Sequence, residues 1–286
     1  MPVRPLIVFL RRAALALALG ASPIAAQQPA PPPAPPPAGR TVRVPGAELW
    51  YREQGSGEPL VLLHGFLDCA SSWDPFVAKL AERHRVILVE LRGHGRSTNP
   101  SGAFTLRQSA ADVTALLDSL RLPRVHAMGI SAGAMTLLHV ATAQPARLRS
   151  LVLVGATTRF VDQTRAAIRD VGGVIPAPVM AEFRKCASRG PAQVDDLLAQ
   201  FQVLGRSTDD PNFSDADLAR ITAPTLVVHG DRDEFFPVEL ALGLYRGIPK
   251  AQLWVVPNGD HVPIYGPTTP FADVALRFLQ RAAPKP

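Results

Sequence analysis

Short, largely apolar runs punctuate the chain: LVLLH at 60–64, VILV at 86–89, VHAMGI at 125–130, LVLV at 151–154, TLVVH at 225–229 and LWVV at 253–256. A run with little polar alternation reads as a strand covered on both faces. Helical periods fill the intervals. Phe76, Val77 and Leu80 share one face of 73–84, and Ala110, Val113, Leu116 and Leu117 form a stripe along 106–120. An Ala-rich helix over 132–143 is stopped by Pro145, and 269–279 closes the pattern as a helix. Strands alternating with helices in this way imply a mostly parallel central sheet with helices on both faces, the α/β class. Residues 41–53 (TVRVPGAELWYRE) alternate on either side of Pro45-Gly46 and predict an antiparallel hairpin ahead of the parallel strands.

The alternation is interrupted once. Between 159 and 220 no buried-strand pattern occurs, while Val179, Met180, Phe183 and Cys186 fall on one helical face, as do Val194, Leu197, Leu198 and Phe201. This predicts a helical insertion over the sheet, either a lid above the strand ends or extra packing helices at the domain edge. The expected organisation is a single domain over 41–286 carrying the insertion at 159–220.

Residues 1–26 run from a basic start (Arg4, Arg11, Arg12) through an apolar stretch to Ile24-Ala25-Ala26, the order of a secretory signal peptide. Arg11 and Arg12 interrupt the apolar stretch, so no stable membrane span is expected after cleavage. A proline-rich linker over 27–40 (PAPPPAPPPA at 29–38) follows and reads as a stiff extended spacer. The predicted location is therefore exported, periplasmic or secreted. The formal charge of +6 includes those three early arginines, and no Lys/Arg stripe interleaved with aromatics follows, so nucleic acid is not an expected partner. Cys69 and Cys186 have neither redox nor zinc spacing. In an oxidising compartment they either bond, tying the insertion to the loop after 60–64, or stay two separate buried thiols.

The chemistry concentrates at Gly129-Ile130-Ser131-Ala132-Gly133, where a buried strand meets a helix. A serine hydroxyl needs exposure, alignment and a base to act as a nucleophile. A tight strand-to-helix turn exposes it, small neighbours allow the turn, and Ala132 offers its backbone N–H at the helix start. This segment resembles the nucleophile elbow of α/β-hydrolases. His64-Gly65-Phe66 is similar to that family's oxyanion loop, and Arg92-Gly93-His94-Gly95-Arg96-Ser97 to its RGxGxS turn, with Glu90 where Asp is usual. The resemblance covers roughly 41–282.

It implies the α/β-hydrolase fold with a helical lid, and a triad in the chain order Ser, acid, His. Within His229-Gly230-Asp231-Arg232-Asp233-Glu234 three acids compete for that role. Asp233 has the family spacing, Asp231 is expected to hold the turn and Glu234 to face solvent. A metal at His229, Asp231 and Asp233 is a rival without further ligands. Of the histidines, only His261 follows the last strand, where the family keeps its base. His64 is expected to brace the oxyanion loop, and His139 to lie in the helix behind the serine. The resemblance thus implies catalytic Ser131, Asp233 and His261, an oxyanion hole from the N–H groups of Phe66 and Ala132, no cofactor, and a small-molecule substrate. Serine at 131 argues against the haloalkane dehalogenases and epoxide hydrolases of this fold, which use aspartate there. The insertion also lacks the tyrosines that epoxide hydrolases use. The leading expectation is a carboxylic-ester hydrolase for a small or medium apolar substrate. The alternatives are a carbon–carbon bond hydrolase or a cofactor-free haloperoxidase with the same triad. An aminopeptidase is weaker, and so is a non-catalytic binding module, because all three triad members are present.

Overall fold

The computed structural model describes residues 38–266 and 269–282. The expected signal peptide and most of the linker lie outside these residues, as do 283–286. Strands β1 (Arg40–Val44) and β2 (Ala47–Gln54) form the predicted hairpin. Gly46, at φ +73°, supplies the left-handed residue of its turn. Arg40 pairs with Tyr51, so the sheet begins one residue inside the stretch read as linker. Six strands follow: β3 (Glu58–Leu63), β4 (His84–Val89), β5 (Val125–Ile130), β6 (Leu148–Val154), β7 (Thr225–Gly230) and β8 (Ala251–Val256). The sheet order is β1-β2-β4-β3-β5-β6-β7-β8, antiparallel at the two β2 ladders and parallel from β4 to β8. This is the α/β-hydrolase fold.

Successive residues of a strand face opposite sides of the sheet, and the interior divides accordingly. Leu60 and Leu62 join Trp73, Phe76 and Phe271, on the side of α1 (Asp74–Ala81) and α10 (Phe271–Ala282). Val61 and Leu63 join the core of α2 (Leu106–Ser119), α3 (Ala132–Ala143) and α9 (Val238–Gly247) on the other side. Each large apolar side chain so buried contributes roughly 1.5–3 kcal/mol relative to exposure. Thr105 caps α2 by accepting the Gln108 N–H at 3.0 Å.

Two sequence expectations need correction. The helix expected over 73–84 ends at Ala81, because His84 opens β4 opposite Glu58; polar His84 and Arg85 concealed the strand's first residues. The run 253–256 is not buried on both faces. It lies in edge strand β8, whose residues Leu253, Trp254 and Val255 are only half-buried.

Between β6 and β7 the chain forms α4 (Asp162–Arg169), α5 (Val171–Val174), α6 (Ala177–Cys186), α7 (Ala192–Arg206) and α8 (Asp215–Ala219). This is the helical insertion expected at 159–220. Val194 and Leu197 are buried, with Leu198 and Phe201 packed beside them, as the period of α7 predicts. On α6 Met180 is buried whereas Val179 is 42% exposed, so the four residues of its expected apolar face are not equally covered. No helix among the described residues is long and apolar enough to cross a membrane.

One buried ion pair ties the edge of this framework together. Arg92, just after β4, donates from Nε and Nη2 to the Asp112 carboxylate of α2, at 2.7 and 2.6 Å, and to the Pro45 carbonyl at 3.0 Å. Both side chains are almost fully buried. Removing one partner strands a buried charge, so Asp112→Ala is expected to lower the unfolding free energy by about 3–5 kcal/mol. Asp118→Ala, which loses only an exposed contact to Arg147, should cost less than about 1 kcal/mol. Denaturant unfolding of the two variants measures both.

Candidate active site

Ser131 stands between β5 and α3 at φ +48°, ψ −113°, a backbone conformation that non-glycine residues rarely adopt. Its N–H donates to the Val154 carbonyl of β6 at 2.8 Å. The glycines on either side permit the turn. A Cβ at Gly129 would lie 2.5 Å from the Ala134 nitrogen, and one at Gly133 2.6 Å from the carbonyl oxygens of both Leu63 and His64. The strained turn thus presents the Ser131 hydroxyl at the carboxyl end of the sheet, where α/β proteins place their chemistry.

The other two predicted residues arrive from neighbouring loops. His261, after β8, places Nε2 2.9 Å from Ser131 Oγ and Nδ1 2.9 Å from Asp233 Oδ2. Asp233, after β7, is buried, and its Oδ1 accepts the N–H groups of Phe235 and Phe236 at 2.8 and 2.9 Å. Burial works against the carboxylate, yet the adjoining His261 and these donors hold its pKa below the ordinary value. Burial likewise works against the imidazolium of His261, but the Asp233 charge and hydrogen bond outweigh it and raise the pKa above 6.5.

Asp231 does not hold the turn with its side chain, which is exposed. Backbone bonds hold it instead: Arg232 N–H to the Gly259 carbonyl at 2.8 Å and Asp233 N–H to the Gly230 carbonyl at 3.3 Å. Glu234 is exposed, as expected. His229 is buried, and its Nε2 donates to the Phe236 carbonyl at 2.9 Å, supporting the segment that binds Asp233. Desolvation lowers its pKa, so it stays a neutral prop.

Phe66 and Ala132 offer two backbone donors beside the hydroxyl. Among the described residues neither N–H has an acceptor placed against it. Ala132 opens α3, so the positive end of the helix dipole adds to its N–H. His64 braces the other donor. Its Nδ1 donates to the Gly65 carbonyl at 2.7 Å, and its Nε2 accepts the Leu91 N–H at 3.0 Å. Desolvation brings its pKa down to about 4, so the ring is neutral and can both donate and accept. The Phe66 ring stacks on Phe201 of α7 at 4.7 Å and meets His94 and Phe104 edge-on, each at 4.8 Å. Glu90, the departure from the family pattern, accepts the Arg96 N–H at 2.6 Å and pairs with its guanidinium at 2.9 Å, a structural role within the RGHGRS turn.

A cavity of about 830 Å³ opens over Ser131 and His261. Phe235 and Phe236 line it from the loop after β7, and Phe160, Ile168, Val174 and Phe183 from the insertion. No lysine or arginine occurs among its described lining residues. Cys69, after the oxyanion loop, is bonded to Cys186 at the end of α6, which resolves the two alternatives left open by the sequence. Among the described residues a metal-like cluster occurs only at Asp68, Cys69 and Cys186, and the disulfide leaves no thiolate there to ligate an ion.

Sequence reasoning missed the polar contacts of the insertion. Arg189 donates to the carbonyls of Ser97 and Gly93, both at 2.7 Å, and Gln193 to those of Gly93 and Gly95 at 2.9 and 2.8 Å. His139 of α3 meets Asp210 at 2.8 Å. Their acceptors are carbonyls or a distant carboxylate, for which the residue order carries no signal.

Comparison with known proteins places these observations. Residues 60–275 match the sequence model of the alpha/beta hydrolase family. A Pseudomonas putida protein named 2-hydroxy-6-oxononadienedioate/2-hydroxy-6-oxononatrienedioate hydrolase 2 is 32% identical over 266 residues, 82% of this chain and 92% of its own. A 2-hydroxy-6-oxo-2,4-heptadienoate hydrolase, also from Pseudomonas putida, is 29% identical over 247 residues, 78% of this chain and 89% of its own. The solved structure of a hydrolase from Pseudomonas aeruginosa superposes with a TM-score of 0.71 at 26% identity, covering 84% of this chain and 98% of the other.

The geometry sets a pH dependence. An imidazolium cannot accept the serine proton, and the His261 pKa is raised, so the acid limb of kcat/KM is expected above pH 6.5. Asp233→Asn should lower kcat by about 10⁴-fold and shift that limb to lower pH, since the raising charge is gone. Asp231→Asn should do neither. A pH–rate profile of the three proteins distinguishes these outcomes.

Proposed function

This chain is a hydrolase and belongs to the alpha/beta hydrolase family, and we propose that Ser131, His261 and Asp233 are its catalytic triad, acting on an uncharged carboxylic ester with an apolar acyl group. The observation that carries the reading is the unbroken hydrogen-bonded path from Ser131 Oγ through His261 to Asp233, opening on an apolar cavity. His261 Nε2 takes the hydroxyl proton as Oγ attacks the carbonyl carbon, and Asp233 holds the tautomer and the resulting imidazolium. The oxyanion forms against the N–H groups of Phe66 and Ala132, each worth roughly 3 kcal/mol in the transition state. His261 returns the proton to the leaving alcohol. It then deprotonates the water that releases the acid from the acyl-enzyme. No step calls for a cofactor.

The relatives' names favour a second reading. A 2-hydroxy-6-oxo-dienoate has a ketone and carboxylate but no ester, so its hydrolysis must break a carbon–carbon bond beside the ketone. The same triad serves either reaction. The ester reading rests on the cavity, whose described lining offers no cation to a carboxylate. Export is part of the proposal. The order of basic, apolar and small residues in 1–26 supports it, as does the disulfide, which persists in oxidising compartments. The insertion is proposed to act as a lid.

A fluorophosphonate probe should label Ser131, and Ser131→Ala should abolish labelling and lower kcat by about four to six orders of magnitude. A p-nitrophenyl ester chain-length series run beside a 2-hydroxy-6-oxo-dienoate separates the two readings. Turnover of the dienoate well above that of every ester would favour carbon–carbon cleavage. Because the disulfide ties α6 to the oxyanion loop, reduction should change KM for bulky esters more than for acetate.

A further inference from the structure

The triad and oxyanion donors leave three acidic cavity residues without a task, and of these Asp68 alone is not exposed to solvent. Asp68 lies in the turn after the oxyanion loop, its N–H bonded to the Gly65 carbonyl at 3.4 Å. Its Oδ1 accepts the Cys69 N–H at 2.8 Å. The adjoining Cys69 is bonded to Cys186 of α6. The carboxylate is therefore held where the loop and the insertion meet, and it lines the cavity shared with Ser131 and His261. Desolvation pushes its pKa up to about 6, with only the Cys69 N–H and Ser72 acting against it. At pH 8 the group is ionised. Its charge also acts on Tyr265, another lining residue, whose pKa is raised first by desolvation and then by Asp68. The other acids in the described lining, Glu234 and Asp260, are exposed to solvent.

We propose that Asp68 is a specificity-determining residue, a fixed carboxylate on the cavity wall that excludes substrates whose acyl chain ends in a carboxylate. Water screens the charges of Glu234 and Asp260, but screens a partly buried one far less. At an effective permittivity of about 20, two like charges some 6 Å apart repel enough to weaken binding about a hundredfold. No described cation in the lining offsets this. Substrates bearing carboxylates, such as the dioate in one relative's name, meet here a wall of the wrong sign. The proposal deepens the ester reading and rests on it for turnover, though not for binding.

The test pairs two esters of equal chain length, p-nitrophenyl hexanoate and the p-nitrophenyl monoester of adipic acid, at pH 8. The quantity read is the ratio of their kcat/KM values, which divides out any general loss of activity. The natural chain is expected to favour hexanoate by about thirtyfold or more, and Asp68→Asn to reduce that preference at least fivefold. Equal use of both esters by the natural chain overturns the proposal. So does an undiminished preference in a folded Asp68→Asn variant, or relaxation by Glu234→Gln or Asp260→Asn instead. A binding arm stands apart from catalysis: calorimetric titration of the natural chain with hexanamide and with the adipamate anion. Hexanamide should bind at least tenfold more tightly, and equal affinities overturn the proposal. Failure of the probe to label Ser131 and of the protein to hydrolyse either ester would sink the ester reading, while the calorimetric comparison, repeated on Asp68→Asn and expected there to lose the preference, still decides the role of Asp68.

Discussion

The site depends on how closely α3 can approach the ends of β3 and β5. Leu63 and His64 turn their carbonyl oxygens toward Gly133, and the space between holds no Cβ. Because the helix starts this close, Ser131 must take a positive φ, and its N–H finds the Val154 carbonyl. The same approach sets the first N–H of α3 beside the segment 64–66. The Ser131 hydroxyl and the N–H groups of Phe66 and Ala132 are thus fixed by one contact between backbones, with side-chain choice secondary. Strain of about 1–3 kcal/mol at such a residue persists because buried strands on both sides leave the chain no room to relax.

Around that contact, charge is admitted only where donors are already in place. Asp233 is buried yet meets two backbone N–H groups and His261. Asp112 is buried and accepts from Nε and Nη2 of Arg92. At His64 and His229 desolvation outweighs the groups that favour the charged ring and keeps both neutral, leaving them free to act as hydrogen-bonding struts. His261 is half-buried, and its Asp233 partner outweighs the desolvation, which separates it from His64 and His229. Identical ring chemistry therefore yields a more basic ring in one position and neutral struts in two.

Much of this was readable in the sequence, for a physical reason. Strands buried on both faces write themselves as apolar runs, and β5 and α3 have the boundaries predicted for them. The elbow motif marks Ser131, the family resemblance implies Asp233 and His261, and the structure brings the three into one hydrogen-bonded chain. The failures cluster where the pattern weakens. The start of β4 is polar, β8 is an edge strand with half-exposed residues, and Asp231 sits in a turn held by backbone bonds that leave no trace in side-chain identity. The Arg189, Gln193 and Asp210 contacts went unread because each spans 70 or more residues, and no local period encodes such a pairing.

Those unread contacts determine how the insertion relates to the chemistry. Arg189 and Gln193 grip the carbonyls of the RGHGRS turn. That turn carries His94, whose ring packs on Phe66. Phe66 in turn stacks on Phe201 of α7, and its N–H has no acceptor among the described residues. The Cys69–Cys186 bond makes a second tie, from the end of α6 to the same oxyanion loop. An insertion attached only to its flanking strands could shift without disturbing the donors. Here the segment that shapes the cavity roof and the loop that positions Phe66 are one packed unit, with Asp68 at their junction. Changes that alter the roof are thereby coupled to the Phe66 backbone, so the shape of the cavity and the placement of that N–H draw on the same contacts.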